Sequence, residues 1–449
     1  MFKRILVANR GEIALRIIRA AHDLGIEAVA VFSEADRDAA YVKAADDSVC
    51  IGPAPSAESY LDITRIISAA EITGAEAIHP GYGFLAENAH FAEVCVACDM
   101  VFIGPSPAII DSCGDKSNAK ETARRAGVPV VPGSDGAVDG VEHGAEIAEQ
   151  VGYPVMIKAA AGGGGRGMRR ANDSDEFASC FNAAQQEAIG AFNDDKVYIE
   201  KFVEEPRHVE VQILADNNNH VIHLGERDCS IQRRHQKLIE ESPSPATTDS
   251  LRQAMGEAAI NFAKESGYVN AGTVEFLLDK HGNFFFIELN ARIQVEHCVT
   301  EVVTGIDIVK WQIMIAAGID LDIRQSDVCL TGHAIEFRIN AENVARNFAP
   351  APGTITDLYF PGGRGVRIDT HVAANYKIPT TYDSMIAKLI VHGKDRTEAI
   401  QIGKRALAEV VIDGPGVFTT VPLHLEILDD QGFVDADFDT SYLDTFLSK

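Results

Sequence analysis

Short apolar runs and helical periods alternate along the N-terminal region. Ile5-Leu6-Val7-Ala8 and Ala28-Val29-Ala30-Val31-Phe32 are continuous apolar runs, and between them Ile13 to Leu24 repeats apolar residues at helical spacing. Strand, helix, strand in that order predicts a β-α-β unit and a parallel sheet. Further runs at Ala77-Ile78 and Val101-Phe102-Ile103, separated by helical stretches, extend this open α/β region to about Cys113. The first turn, Asn9-Arg10-Gly11-Glu12, lacks the three spaced glycines of a dinucleotide fingerprint, which argues against a nicotinamide enzyme.

The pattern then changes twice. After a helix predicted from Asp115 to Ala126, Val128-Pro129-Val130-Val131-Pro132-Gly133 marks a break, followed by helix, strand, glycine run and strand to Val203, a small inserted subdomain. Alternation around Lys280-His281-Gly282-Asn283 predicts a hairpin of strands Thr273 to Leu278 and Phe284 to Asn290. From Thr331 strands and Gly/Pro turns dominate to about Ile390, before a helix from Arg396 to Glu409. At 449 residues the chain exceeds one ordinary core, so the expected fold is multidomain, α/β and α+β, with units at 1–113, 114–330 and 331–449.

Composition narrows the function classes. The chain carries 40 Lys plus Arg against 66 Asp plus Glu, a formal net charge of -26, which disfavours general binding to nucleic acid or anionic membrane. Any anion site must be a local basic cluster. No apolar run approaches the roughly 18 residues of a bilayer span, and the start, Met1-Phe2-Lys3-Arg4-Ile5-Leu6-Val7, is a strand rather than a signal segment, so a cytoplasmic protein is expected. Eight cysteines at these spacings make no disulfide framework, and the Cys95 and Cys98 pair reads as helix packing.

Four segments carry chemistry. Gly162-Gly163-Gly164-Gly165-Arg166-Gly167 joins two predicted strands, Tyr153 to Lys158 and Met168 to Arg170, rather than a strand and a helix; as a flap its amides can cradle phosphate oxygens. Lys158 and Lys116 can add fixed positive charge. In the hairpin, a four-residue loop sets Glu275 opposite Glu288, a repulsive pair unless a cation lies between, and with Asn290 on the same face these hard oxygens suit Mg²⁺. If the chain stays extended, Asn290, Arg292, Gln294 and Glu296 share one side, where Arg292 can hold a small anion and Glu296 can take its proton; a structural salt-bridge network accounts for that stretch equally well. Finally, Glu226 to Lys237 becomes acid-free from Cys229 on and carries Arg233, Arg234 and Lys237 as a candidate anion site.

Together these segments resemble biotin carboxylase, the ATP-grasp component of biotin-dependent carboxylases, over essentially the whole chain. The carriers are Ala8-Asn9-Arg10-Gly11-Glu12-Ile13-Ala14, His79-Pro80-Gly81-Tyr82-Gly83-Phe84-Leu85, the glycine flap, Glu226 to Lys237, and Arg292-Ile293-Gln294-Val295-Glu296-His297. The resemblance implies a Rossmann-like N-terminal domain, an ATP-grasp domain with a lid at about 131–203, and a mixed C-terminal domain. It implies adenine at Glu200-Lys201-Phe202-Val203, with His208 and His235 near the nucleotide, and phosphates at Lys116, Lys158, Gly164 and Gly165. Magnesium, or manganese in its place, would sit at Glu275, Glu288 and Asn290. Bicarbonate would lie among Lys237, Arg292, Gln294 and Val295 with Glu296 as base, and biotin against Arg338 and Tyr82.

The implied reaction forms carboxyphosphate from bicarbonate and ATP, then carboxylates biotin. No Met-Lys dipeptide occurs, so the biotin is expected on a separate biotin carboxyl carrier protein, with a separate carboxyltransferase and a homodimeric assembly. Acetyl-CoA, the start of fatty acid synthesis, is the default final acceptor. Leu289, Ala291, Cys298 and Thr420 depart from the usual family residues without removing a functional group. The rival readings are another ATP-grasp ligase, which shares Lys158, Glu275 and Glu288, and a silent nucleotide-binding regulatory subunit.

Overall fold

The computed structural model describes residues 1–159, 168–192, 195–234 and 236–448. The N-terminal apolar runs form a five-stranded parallel sheet from β1 (Arg4–Val7), β2 (Glu27–Ser33), β3 (Asp47–Gly52), β4 (Ala77–His79) and β5 (Val101–Phe102), ordered β3-β2-β1-β4-β5. Ile5, Leu6 and Val7 are buried on both faces, which is why this strand reads as a continuous apolar run. The helix Gly11–Asp23 follows β1 directly and buries Ile13, Ile17 and Ile18.

The inserted subdomain is a sheet of β6 (Val155–Ala159), β7 (Met168–Ala171) and β8 (Val197–Lys201), with the helices Val141–Val151 and Ser174–Phe192. It has a core of its own in which Phe177 and Phe181 pack on Val155, Ile157, Val197 and Ile199. The strands flank the glycine run as expected; residues 160–167, with Gly164 and Gly165, lie outside the described residues, as does His235.

The remaining long strands build one antiparallel sheet. They are β9 (Arg207–Ala215), β10 (Val221–Arg233), β11 (Gln236–Ser242), β12 (Asn270–Leu278), β13 (Phe284–Asn290) and β14 (His333–Asn340). Two short ribbons follow, β15 (Glu342–Asn343) with β16 (Ala349–Pro350), and β17 (Asp357–Tyr359) with β20 (Val411–Asp413); between them run β18 (Val366–Thr370) and β19 (Met385–Gly393). The eight-stranded order is β13-β12-β9-β10-β11-β14-β19-β18. Its β11–β14 pairing therefore carries hydrogen bonds across residue 330, where the sequence pattern changes. The helix Arg396–Glu409 has the predicted ends and is capped by Asp395.

The hairpin reaches its expected pairing by a different route. Its connection is five residues, Asp279 to Asn283, and Leu278 pairs with Phe284. A register shift between Phe276 and Glu275, with Ile287 as the extra residue, then brings Glu275 opposite Glu288. Nor does the chain beyond Asn290 stay a strand. It bends and turns into the helix His297–Thr304, so Arg292, Gln294 and Glu296 converge through a turn rather than through two-residue alternation.

Buried ion pairs tie these parts together. Glu301 on the helix His297–Thr304 accepts from Arg16 at 2.8 Å and from Arg367 at 2.8 Å, joining the N-terminal helix to β18. Burial pushes the Glu301 carboxyl up, but His297, Arg16 and Arg367 outweigh it and hold the group down at about 2. A depressed carboxyl stabilises the fold above its unfolded value near 4.5, and that contribution is lost as pH falls towards about 2. Glu301→Gln should therefore cost on the order of 3 kcal/mol near neutral pH. In denaturant titrations the gap from the parent should narrow below about pH 4.5; a gap constant with pH would exclude this linkage.

Candidate active site

A cavity of ≈ 1350 Å³ opens between the N-terminal turn Asn9–Ile13 and the large sheet. At its centre the Lys237 ammonium lies 2.6 Å from Glu210, 2.6 Å from Glu296 and 3.3 Å from Glu275. Burial alone would lower the Lys237 pKa, but the carboxylates of Glu210, Glu275 and Glu296 raise it well above the ordinary lysine value. It is a fixed cation. The opposite holds for Glu296: burial pushes it up, yet Lys237, Arg338 and Arg227 hold it well below the usual carboxylate range. Its second oxygen accepts from Arg338 at 3.0 Å.

Glu275 is the other hub. One oxygen accepts from Asn290 at 2.8 Å, Gln294 at 3.1 Å and Lys237, and the other meets His208 at 2.8 Å. Burial would lower His208, but Glu275 raises it above the ordinary histidine value. Arg292 gives Nε to Glu87 at 2.8 Å, Nη1 to Gln294 at 2.7 Å and Nη2 to Asn290 at 3.1 Å. The Val295 carbonyl accepts from Lys388 at 2.8 Å, which fixes the backbone beside Glu296.

The metal reading has a physical test in Glu288. It faces Glu275 across the hairpin, and its cation is Lys116, a mostly exposed side chain 3.8 Å away. Burial and the like charge of Glu275 push the Glu288 carboxyl up. A divalent cation at this pair would relieve both effects, so Glu275 and Glu288 fit the expected magnesium site. Asn290 fits less directly, because its oxygen is engaged by Arg292.

On the subdomain side, Lys158 reaches the buried Glu200 at 2.5 Å, and Lys120 contacts the other oxygen of that carboxylate. The Lys201 side chain is committed to the carbonyls of Gly152 and Tyr153, and Phe202 stacks under Arg170. Backbone groups of this segment remain for a planar ring; the Val203 amide makes no hydrogen bond among the described residues. At the far end of the cavity Arg338 gives Nε to Glu240 at 2.6 Å, and Tyr82 lines the wall with its hydroxyl on Glu12.

The basic segment contributes less than its composition suggests. Lys237 enters the cavity and Arg234 stands on its wall, but Arg233 turns away to Asn347 at 2.7 Å and stacks on Phe348. Sequence reasoning missed Glu87, Lys120, Glu210, Glu240 and Lys388. Two had a signal: Lys120 is one helical turn beyond Lys116, and Glu210 shares a strand face with His208. The atypical Thr420 keeps a structural role, donating to the Arg338 carbonyl at 2.9 Å and accepting from the Asn340 amide at 3.0 Å.

Comparisons with known proteins agree along the chain. Residues 1–110 match the family described as biotin carboxylase, N-terminal domain, residues 115–324 the carbamoyl-phosphate synthase L chain, ATP binding domain, and residues 336–445 the biotin carboxylase C-terminal domain. The chain is 55% identical over 447 residues to biotin carboxylase 1 of Bacillus subtilis (strain 168), covering 99% of each. It is similar to the crystal structure of the Campylobacter jejuni biotin carboxylase in a β-γ-ATP complex, with TM-score 0.92 and 50% identity over 99% of both chains. It is also similar to the biotin carboxylase domain dimer of Hydrogenobacter thermophilus 2-oxoglutarate carboxylase, in complex with MgADP, ADP and bicarbonate, with TM-score 0.90 and 50% identity over 99% of this chain and 98% of that one.

Glu288→Gln keeps the side-chain size and removes one anionic oxygen ligand. Nucleotide affinity should then lose most of its dependence on magnesium, weakening on the order of tenfold, while the free protein keeps its stability or gains up to about 1 kcal/mol from lost repulsion. Calorimetric titration of ATP at rising magnesium checks this; an unchanged magnesium dependence would remove Glu288 from the metal site.

Proposed function

The chain belongs to the biotin carboxylase family, and from that premise we propose that its cavity carries out the ATP-dependent carboxylation of biotin by bicarbonate, with the residues above in the following roles. The observation that carries the reading is the line Lys237, Glu296, Arg338, in which one ionised carboxylate is held between two fixed cations. The segment with Lys116, Lys158 and His208 faces the nucleotide, and the end with Arg338 and Tyr82 faces biotin. Magnesium at Glu275 and Glu288 supplies charge compensation for the nucleotide phosphates.

Bicarbonate fits between Arg292 and Lys237, beside the Gln294 amide and the Val295 backbone. In the free site Glu296 is ionised but weakly basic, because Lys237 and Arg338 stabilise its charge. An anion that draws on the same cations restores basicity where the proton must be taken. Glu296 accepts the bicarbonate proton, and the bicarbonate oxygen attacks the ATP γ-phosphorus. The bond to the β-phosphate oxygen breaks, leaving ADP and carboxyphosphate. Carboxyphosphate separates into CO₂ and phosphate, and the phosphate takes the biotin N1 proton as N1 attacks CO₂. Arg338 meets the negative charge that develops on the ureido oxygen. The protein contributes position and fixed charge rather than a covalent nucleophile; Cys229, buried and raised well above the ordinary thiol value, stays neutral.

The biotin is proposed to arrive on a biotin carboxyl carrier protein and to leave for a carboxyltransferase, with this chain as a homodimer in the cytoplasm. Among the described residues no helix is long and apolar enough to cross a membrane. Acetyl-CoA is the proposed final acceptor. These roles separate in time. Glu296→Gln should lower bicarbonate-dependent ATP cleavage and biotin carboxylation together, by roughly 10²- to 10⁴-fold. Arg338→Gln should lower carboxylation by about 10²- to 10³-fold while sparing much of the ATP cleavage. Both rates measured in each variant decide it: equal losses in Arg338→Gln, or normal carboxylation in Glu296→Gln, contradict the division.

A further inference from the structure

Glu336 lies two residues before Arg338 on the same face of β14 and is fully buried. Directly opposite, on β11, stands Glu240, also fully buried. Two ionised carboxylates facing each other out of water would repel strongly and lack solvation. The neighbouring cations are already committed. Arg338 gives Nε to Glu240 at 2.6 Å and Nη2 to Glu296 at 3.0 Å. Lys388, opposite Arg338 on β19, spends its three protons on the Val295 carbonyl at 2.8 Å, Glu12 at 3.1 Å and the Cys298 sulfur at 3.2 Å. Among the described residues, both Glu336 oxygens and Oε2 of Glu240 have no hydrogen-bond partner.

Among the described residues, the other titratable groups around the pair supply no missing cation. Glu296 and Cys298 approach from the turn and the following helix, Glu12 lies beyond Lys388 on the N-terminal helix, and Lys237 of β11 is taken by its three carboxylates. His424 sits on the opposite sheet face against Phe337, where burial lowers it to about 4 and its ring N–H donates to the Arg338 carbonyl.

We propose that Glu336 and Glu240 share one proton at neutral pH as a hydrogen-bonded acid–carboxylate pair, and that this pair is the positioning element that keeps the Arg338 charge available to the biotin ureido oxygen. With one proton the pair carries a single negative charge, which Arg338 meets, while Glu296 is shared between Arg338 and Lys237. Loss of that proton sets a further carboxylate charge against Arg338 and weakens its field at the ureido oxygen. Burial pushes the Glu240 carboxyl up to about 7 in spite of Arg338, and it pushes Glu336 well above the usual range in spite of Lys388, which agrees with the geometry. The sign follows: raising pH removes the shared proton, so the loss falls on the alkaline side and on the biotin half of the reaction.

The proposal rests on the assignment of Arg338 to the ureido oxygen, and the test separates the two. Infrared spectra of the whole protein, with glutamate isotopically labelled at the side-chain carboxyl, should show a protonated carboxyl near neutral pH that Glu336→Gln removes and Glu240→Gln shifts. Absence of any protonated glutamate in the unsubstituted protein, or a band untouched by both substitutions, overturns the shared proton whether or not either variant folds well. For the function, biotin carboxylation and bicarbonate-dependent ATP cleavage are followed across pH. The parent's kcat/KM for biotin should fall about tenfold per pH unit once the proton is lost. Glu336→Gln, which copies the neutral acid, should lack that fall, with the pH profile of ATP cleavage the same in both proteins. A band that behaves as expected with an unchanged carboxylation profile in Glu336→Gln overturns the positioning role and leaves the Arg338 assignment, tested by Arg338→Gln, standing.

Discussion

The ammonium of Lys237, buried among Glu210, Glu275 and Glu296, is the interaction on which the site depends. A buried ammonium is costly unless paired and hydrogen-bonded, and here three carboxylates from β9, β12 and the turn after β13 meet it. Each of those acids answers to a second cation or donor: Glu210 to Arg227 at 2.5 Å, Glu275 to His208, Asn290 and Gln294, and Glu296 to Arg338. Moving any member leaves another buried charge unpaired. The network is therefore stiff, and stiffness is what a reaction governed by position requires.

That arrangement also explains how an acidic protein receives anions. The net charge of -26 repels nucleotide and bicarbonate at a distance. Inside the cavity, arginine and lysine stay cationic because carboxylates surround them, and their geometry leaves donors at the wall. Arg292 illustrates the balance: Glu87, Asn290 and Gln294 fix its guanidinium without covering the cavity side.

Along the large sheet the polar row divides into two chemical environments. Towards β12 and β13, Glu275 and Glu288 face each other with Lys116 beside them, and extra positive charge is welcome. Towards β11 and β14, Glu240 and Glu336 face each other fully buried beside Arg338, and in the proposal above a shared proton balances their charge. The same cross-strand motif thus suits a metal in one place and an acid in the other, and solvent access decides which.

Much of this was legible in the residues themselves. Local periodicity marked the parallel sheet around Ile5 to Val7, the hairpin, the helix Arg396–Glu409 and the strands flanking the glycine run, because a strand or helix imposes its spacing on its own segment. Identity and spacing also nominated Glu275, Glu288, Arg292 and Glu296. What the tertiary structure alone decided is who meets whom. Glu87 reaches Arg292 across 205 residues, Lys388 holds the Val295 carbonyl across 93, and Glu240 meets Arg338 across 98. The hairpin bulge at Ile287 and the turn after Asn290 are likewise features of the folded chain that two-residue alternation does not contain. Periodicity within a segment fixes which face a side chain takes, but a charge finds its partner, and so its protonation state, only when distant segments are brought together away from water.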